Sequence, residues 1–440
     1  MESSEPQIGS AMVDDGSKQD VLSNGLTENG LVEKESSETK TTKKMKNKKK
    51  KSQRSFVPKI GCLRFSDDYP TGYGSDGGFT VEVDPASTKD HRVPTHLVVT
   101  VNGIVGRAGN WRFAAKKLLE KYPQDVIVHC SECNSSMLTL DGIDVMGERL
   151  AEEVHGDSLV KLVIKSRPEL QKISFVSHSL GGLVARYAIA KLYGKSQLGE
   201  SSEENRECRS EESGKTGITR PDEKSKGKLA GLEPQNFITF ATPHLGSRGH
   251  KQAPLFCSLP FVEKAARFIS WMLGRTGRQL ILADNDSGKP PLLVQMVNDS
   301  GDLQFLSALQ SFRRRVAYSN VRFDALVGWK TSSIRRQHEL PKRHDLSKND
   351  KYPHIVNVEG PKIGNSEREV VLEVNAKGYR TNDMEEAMIR GLTRVSWERV
   401  DVSFRSFQRF FAHSTIQVKT YFMNSDGTDV VLHMIDNLLL

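Results

Sequence analysis

The segment ISFVSHSLGGLVARYAIAKLYG, residues 173–194, constrains this chain more than any other. A β-branched and aromatic run passes without a linker into a helical pattern, in which Leu180, Leu183, Val184, Tyr187 and Ala188 recur on one face. A strand that feeds a helix through so short a junction must turn sharply, with both elements in close contact. Small residues stand where that contact falls, Ser177 two positions before Ser179 and Gly181 two positions after it. The pattern is a nucleophile elbow, written S-x-S-x-G with Ser177 in the place of the first glycine. An elbow lifts the Ser179 hydroxyl above the carboxyl ends of the strands, where open α/β sheets bind ligands. The helix that follows aims its free N–H groups at negative charge developing there. The alternative is a Ser-Gly turn that merely joins a strand to a helix.

The rest of the chain alternates short apolar runs with longer helical periodicities, so the fold class is α/β, a sheet wrapped by helices. Strands are expected over 96–101, 126–129, 173–177, 236–241 and 316–318, and helices over about 110–121, 144–154 and 180–193. The first strong strand ends in Val101-Asn102-Gly103-Ile104-Val105-Gly106. This is where α/β-hydrolases place the loop that supplies one oxyanion N–H. Gly103 lets the backbone approach a substrate oxygen, and the N–H of Ile104 is the candidate donor beside that of Leu180. Asn102 stands where lipases usually carry histidine, with no side-chain role evident from sequence.

These residues, together with FATPHLGS at 240–247 and RRRVAYSNVRFDALVGWKTSSI at 313–334, resemble the plant serine esterase family of lipase-like α/β-hydrolases. The likeness runs from about His96 to the C-terminus. It implies an α/β-hydrolase fold, a mostly parallel central sheet flanked by helices, and a triad in the chain order Ser, Asp, His. Asp324 suits the acid, because it lies between two extended apolar segments. Asp299 and Asp302 read better as caps of a helix start. For the base, five histidines follow Asp324: His338 and His344 sit in a charged stretch, and His433 lies on a terminal amphipathic helix. His413 follows a strong strand by a short loop and is the expected base, with His354 in reserve. His178 is expected to point away from the triad, and His244 is a pocket candidate.

An apolar helical stretch over about 255–273 places Phe261, Phe268 and Met272 on one face, within a probable-cap region set at 250–300. It reads equally as a lid over an acyl pocket and as an ordinary packed helix. Residues 1–54 lack the apolar content to fold and are expected to be a disordered tail; 55–95 form an N-terminal extension, 96–440 the hydrolase domain, and 195–231 a disordered insertion. The formal charge of +8 is uneven: residues 1–42 hold nine acidic and three basic side chains, and 43–54 hold eight basic ones. That cluster (Lys43, Lys44, Lys46, Lys48, Lys49, Lys50, Lys51, Arg54) suits peripheral contact with an anionic membrane or serves as a solvated tail; nothing in the body resembles a nucleic-acid module. Five cysteines form no disulfide framework, and the Cys130/Cys133 pair has no second pair at zinc-ribbon spacing.

With an acidic start and no secretory h-region, cytoplasmic exposure is the default, with a plastid address open. No cofactor or metal is implied. The expected activity is hydrolysis of a carboxylic ester, a lipid ester in particular. A thioesterase or acyltransferase on the same residues, or a hydrolase-like scaffold binding lipid or a partner without turnover, stands as the alternative.

Overall fold

The computed structural model describes residues 63–65, 79–83, 93–155, 167–203, 227–247, 273–285, 289–342, 344–362 and 380–440, all within one compact unit, Lys59–Leu440. The tail 1–54 with its basic cluster, most of the 195–231 insertion, and Phe261, Phe268 and Met272 lie outside the described residues.

A nine-stranded sheet organises the unit. In chain order its strands are β1 (Leu63–Phe65), β2 (Phe79–Val83), β3 (His96–Val101), β4 (Val126–Cys130), β5 (Lys172–His178), β6 (Glu233–Phe240), β7 (Arg314–Asn320), β8 (Ile355–Lys362) and β9 (Trp397–Val402). They lie side by side as β1-β2-β4-β3-β5-β6-β7-β9-β8. The run from β4 to β9 is parallel, β2 is antiparallel to β4, and β8 closes the far edge antiparallel to β9. This is the α/β-hydrolase arrangement, with the edge hairpin β1–β2 drawn from the region expected to be only an extension.

The parallel strands are nearly all apolar because both faces of the sheet are covered. Alternate residues serve opposite faces: Leu97, Val99, Phe175 and Phe237 pack with α2 (Ile143–His155), α3 (Leu180–Glu203) and α4 (Thr381–Leu392). Val98, Val128, Val176 and Ile238 pack with α1 (Arg112–Lys121) and a C-terminal helix (Thr428–Asp436). α3 runs ten residues beyond the expected Tyr193 end, to Glu203, so the start of the insertion is helical and not disordered. At the other end of that insertion, Leu229 is fully buried and bridges to Leu232. Asp299 does cap a helix: its carboxylate accepts the N–H groups of Leu306 and Ser307 at 2.8 and 3.1 Å.

Strand register fixes where the loops emerge. Val101 lies opposite Ser177, His178 opposite Phe240, Phe240 opposite Tyr318, and Asn320 opposite Val402. The carboxyl ends of five strands therefore stand level. The residues just past them, 102–106, Ser179, 241–247, 321–324 and the segment after β9, emerge along one edge.

Candidate active site

Ser179 sits at the point of the turn with φ 54°, a left-handed conformation that a non-glycine residue adopts at a cost of order 1–3 kcal/mol. Its N–H is held by the Phe240 carbonyl at 2.8 Å, and its own carbonyl takes the Gly182 N–H at 3.1 Å. The glycines explain why the turn can be this tight. A Cβ on Gly181 would meet the Asn102 and Val101 carbonyl oxygens at 2.5 and 2.6 Å, so α3 begins directly against the end of β3. A Cβ on Gly103 would lie 2.8 Å from the Ser179 Cβ. The loop expected to carry the oxyanion donor thus abuts the nucleophile candidate, with Ile104 next in the chain.

Asn102, which had no role in the sequence, braces that loop. Its Nδ2 donates to the Asn134 carbonyl at 2.9 Å and to the Gly103 carbonyl at 3.2 Å. Further ties are Val105 N–H to Thr139 Oγ1 at 2.9 Å, Gly106 N–H to the Gly103 carbonyl at 2.9 Å, and Ser136 N–H to the Gly106 carbonyl at 2.9 Å. Donors fixed before substrate arrives need no reorganisation as charge develops.

His413 belongs to a single helical turn, α5 (Ala412–Thr415), after β9. Its Nε2 lies 2.9 Å from Ser179 Oγ and its Nδ1 lies 3.0 Å from Asp324 Oδ2. The Asp324 side chain is only 2% exposed and that of His413 11%. Every acceptor site of Asp324 is engaged. Oδ1 takes the N–H groups of Leu326 and Val327 at 3.0 and 2.8 Å, and Oδ2 takes Asn320 Nδ2 at 2.8 Å as well as His413. Burial alone would raise this carboxyl; the His413 charge and the donated hydrogen bonds outweigh it and hold the group below its usual range. An ionised Asp324 only accepts, so it draws the imidazole proton to Nδ1. Nε2 is left free to accept from the Ser179 hydroxyl, and the arrangement can move a proton off the serine.

The other histidines lie elsewhere, and two differ from expectation. His354 pairs with Asp429 at 2.8 Å, His433 bonds the Tyr318 hydroxyl at 2.9 Å, and His338 and His344 are exposed. His244 does not line a pocket. It is fully buried, 3.1 Å from Thr239 Oγ1, with its ring edge-on to Trp397, because the turn after β6 folds it back over the sheet. Nor does His178 point away: its Nε2–H donates to the His413 carbonyl at 2.6 Å, and the two ring centroids are 4.6 Å apart. The elbow swings the residue before the serine toward the returning segment that carries the base. Sequence spacing carries no signal for either placement.

Burial, helped by the nearby His413 charge at His178 and the Arg186 charge at His244, keeps both imidazoles far below the ordinary histidine range. Burial likewise lowers His96, to about 3. These histidines are neutral in the fold and titrate near 6.5 in the unfolded chain, so their stabilising contribution is intact above about pH 6.5. It is lost as pH falls toward the folded values, because the unfolded chain takes up protons that the fold refuses. Lowering the pH from 7 to 5 is therefore expected to destabilise the fold through these three groups. Urea unfolding at both pH values measures this, and equal stabilities would mean that these side chains are protonated in the fold.

Cys130 and Cys133 carry free thiols. Burial pushes Cys130 up to about 12 and Cys133 upward as well, which makes both poor thiolates at neutral pH. Among the described residues, no group of three or more His, Cys, Asp or Glu could hold a metal ion.

Comparison with known proteins finds relatives of the chain. A fission yeast protein (Schizosaccharomyces pombe) named "Putative lipase C4A8.10" is 25% identical over 287 residues, covering 64% of this chain and 31% of the relative. The budding yeast (Saccharomyces cerevisiae) "Putative lipase ROG1" is 28% identical over 243 residues, covering 54% of this chain and 28% of its own. The matches thus span under a third of the length of those relatives. Among solved structures, carboxyl esterase 2 from the fungus Tuber melanosporum is similar at 9% identity and a TM-score of 0.33, over 80% of each chain. The sequence profile of the family described as "Putative serine esterase (DUF676)" matches residues 91–334, more than half of the chain, and the chain belongs to that family.

Proposed function

We propose that the chain is a serine carboxylic-ester hydrolase acting on lipid esters through an acyl-enzyme. Ser179 Oγ attacks the acyl carbonyl while His413 Nε2 takes its proton, and Asp324 holds the imidazole in the tautomer that can accept it. The N–H groups of Leu180 and Ile104 receive the oxyanion, on a loop that already abuts the nucleophile. Collapse of the tetrahedral intermediate expels the alcohol, protonated by His413. Water, deprotonated by the same nitrogen, then attacks the acyl-serine, and the acid leaves as Ser179 regains its proton.

The observation that carries this reading is the relay of 2.9 and 3.0 Å from Ser179 through His413 to an Asp324 whose remaining acceptor sites are filled. The names of the yeast relatives and membership of a serine esterase family support the ester class. The experiment is a panel of acyl substrates presented to the full chain: p-nitrophenyl esters of rising chain length, a triacylglycerol, a phospholipid and an acyl thioester. Hydrolysis of oxygen esters is expected, strongest for the lipid members. Turnover confined to the thioester would replace the reading with a thioesterase, and none at all would leave a binding scaffold.

A further inference from the structure

Most exposed apolar side chains of a folded domain are scattered, but among the described residues a group of aromatic ones gathers beside the His413 helix. The turn Phe407–Phe411 and the turn Tyr421–Asn424 flank the His413 helix on both sides in the chain. Phe407, Phe410 and Phe422 are 75%, 57% and 92% exposed, and Phe411, Tyr421 and Met423 are exposed beside them. The aromatic rings touch one another: Phe407 lies 5.8 Å from Phe410 and 6.0 Å from Phe411, and Phe410 lies 6.1 Å from Phe323, which adjoins Asp324.

These turns are inside out. The Gln408 amide faces inward, with its Nε2 donating to Ser425 Oγ at 3.0 Å and its Oε1 taking the Asp426 N–H at 2.9 Å. Thr415 Oγ1 donates to the Phe411 carbonyl at 3.0 Å and accepts from Asn424 Nδ2 at 3.0 Å. A segment held this firmly cannot roll its phenyl rings under cover. The outward apolar side is a fixed feature, and it calls for a partner that is itself apolar.

Charge identifies the partner. Arg322, Arg405, Arg409 and Lys419 lie within two residues of these rings in the chain, and none forms an ion pair among the described residues. The Arg409 guanidinium lies over Phe323 and Phe410, 5.1 and 4.9 Å from their centroids, and its Nε has no hydrogen-bond partner. The nearby acids are engaged internally, Asp426 by Ser406 and Asp429 by His354. Aromatic rings that enter an acyl layer, ringed by cations at the level of the headgroups, match an anionic phospholipid surface.

We infer that the aromatic rim formed by Phe407–Phe411 and Tyr421–Met423 docks the protein on an anionic phospholipid surface and brings the His413 segment, which it flanks, to that surface. The consequence for catalysis rests on the esterase reading; the docking does not. The test compares the full chain with the double variant Phe407→Ser, Phe422→Ser. Both side chains are largely exposed.

Vesicles of equimolar phosphatidylcholine and phosphatidylserine are sedimented in high salt, which screens exposed charge far more than it weakens ring insertion. The variant is expected to bind at least about 10-fold more weakly, since each buried phenyl ring contributes strongly to partition. In a parallel series at low salt, Arg405→Glu is expected to weaken binding to these vesicles but not to pure phosphatidylcholine. Equal binding by wild type and double variant overturns the inference. So does a wild type that binds no vesicle but self-associates through this face, which would make a second copy the occupant. Hydrolysis of a water-soluble ester, measured in parallel, is expected to be unchanged in the variant. If the wild type hydrolyses no ester, the esterase reading fails while the vesicle result still judges the surface.

Discussion

Ser179→Ala is expected to abolish labelling by a fluorophosphonate and to lower ester turnover by on the order of 10⁵–10⁶-fold, while the melting temperature stays close to that of the wild type. The substitution removes one atom, Oγ, from a residue whose backbone is fixed by hydrogen bonds to Phe240 and Gly182. Alanine keeps the Cβ that already packs against Gly103, so no cavity opens and no clash arises. The left-handed φ costs alanine about what it costs serine, so the elbow persists. His413 loses one partner, but its remaining bond to Asp324 holds the ring in place. The comparison therefore isolates the nucleophile from the fold. Labelling of the variant at the wild-type rate would put the reactive hydroxyl elsewhere and end the assignment.

What sequence could foretell followed from local rules. The elbow, the strands β3 to β7 and the Asp299 cap depend on neighbours a few residues away. Periodicity and residue size carry that information. The course of α3 past Tyr193 was missed because KSQLGESSE carries a glycine and a single apolar residue, Leu198, too few to form the apolar stripe that marks a helix. The β1–β2 hairpin escaped for another reason: its register is set by β4, some 50 residues later.

The histidines show the deeper limit of local reasoning. His178 reaches the carbonyl of a residue 235 positions away, and His244 meets Trp397 across the core, contacts that topology creates. Asn102 is a similar case, because its partner Asn134 emerges from the neighbouring strand of the sheet and not from its own loop. For Asp324 and His413 the resemblance supplied the chain order, and local context narrowed the five later histidines to His413 with His354 in reserve. Level strand ends are what turn that order into a cluster.

Asp324→Asn is expected to lower kcat/KM for a soluble ester by about 10⁴-fold, and His413→Ala by a comparable or larger factor. The reason lies in the donors around the carboxylate. Leu326 and Val327 N–H point at Oδ1, while Asn320 Nδ2 and His413 Nδ1 point at Oδ2. An asparagine carries one acceptor and one donor, so it cannot satisfy both sides. If its oxygen keeps the two backbone N–H groups, its amide nitrogen faces His413 as a donor, and the imidazole must move its proton to Nε2. That nitrogen then presents N–H to the Ser179 hydroxyl and can no longer accept from it. If the amide turns over, two backbone N–H groups are left against a donor in a buried pocket, at about 1–3 kcal/mol each. The first outcome costs activity with the fold intact, and the second costs stability as well. Thermal melts run beside the kinetics tell them apart. The fluorophosphonate rate should fall with turnover in both variants, because acylation uses the same proton transfer. Near-normal rates in Asp324→Asn would mean that another acceptor orients His413. Near-normal rates in His413→Ala would move the base to a different residue, with His354 held by Asp429 at 2.8 Å in this fold.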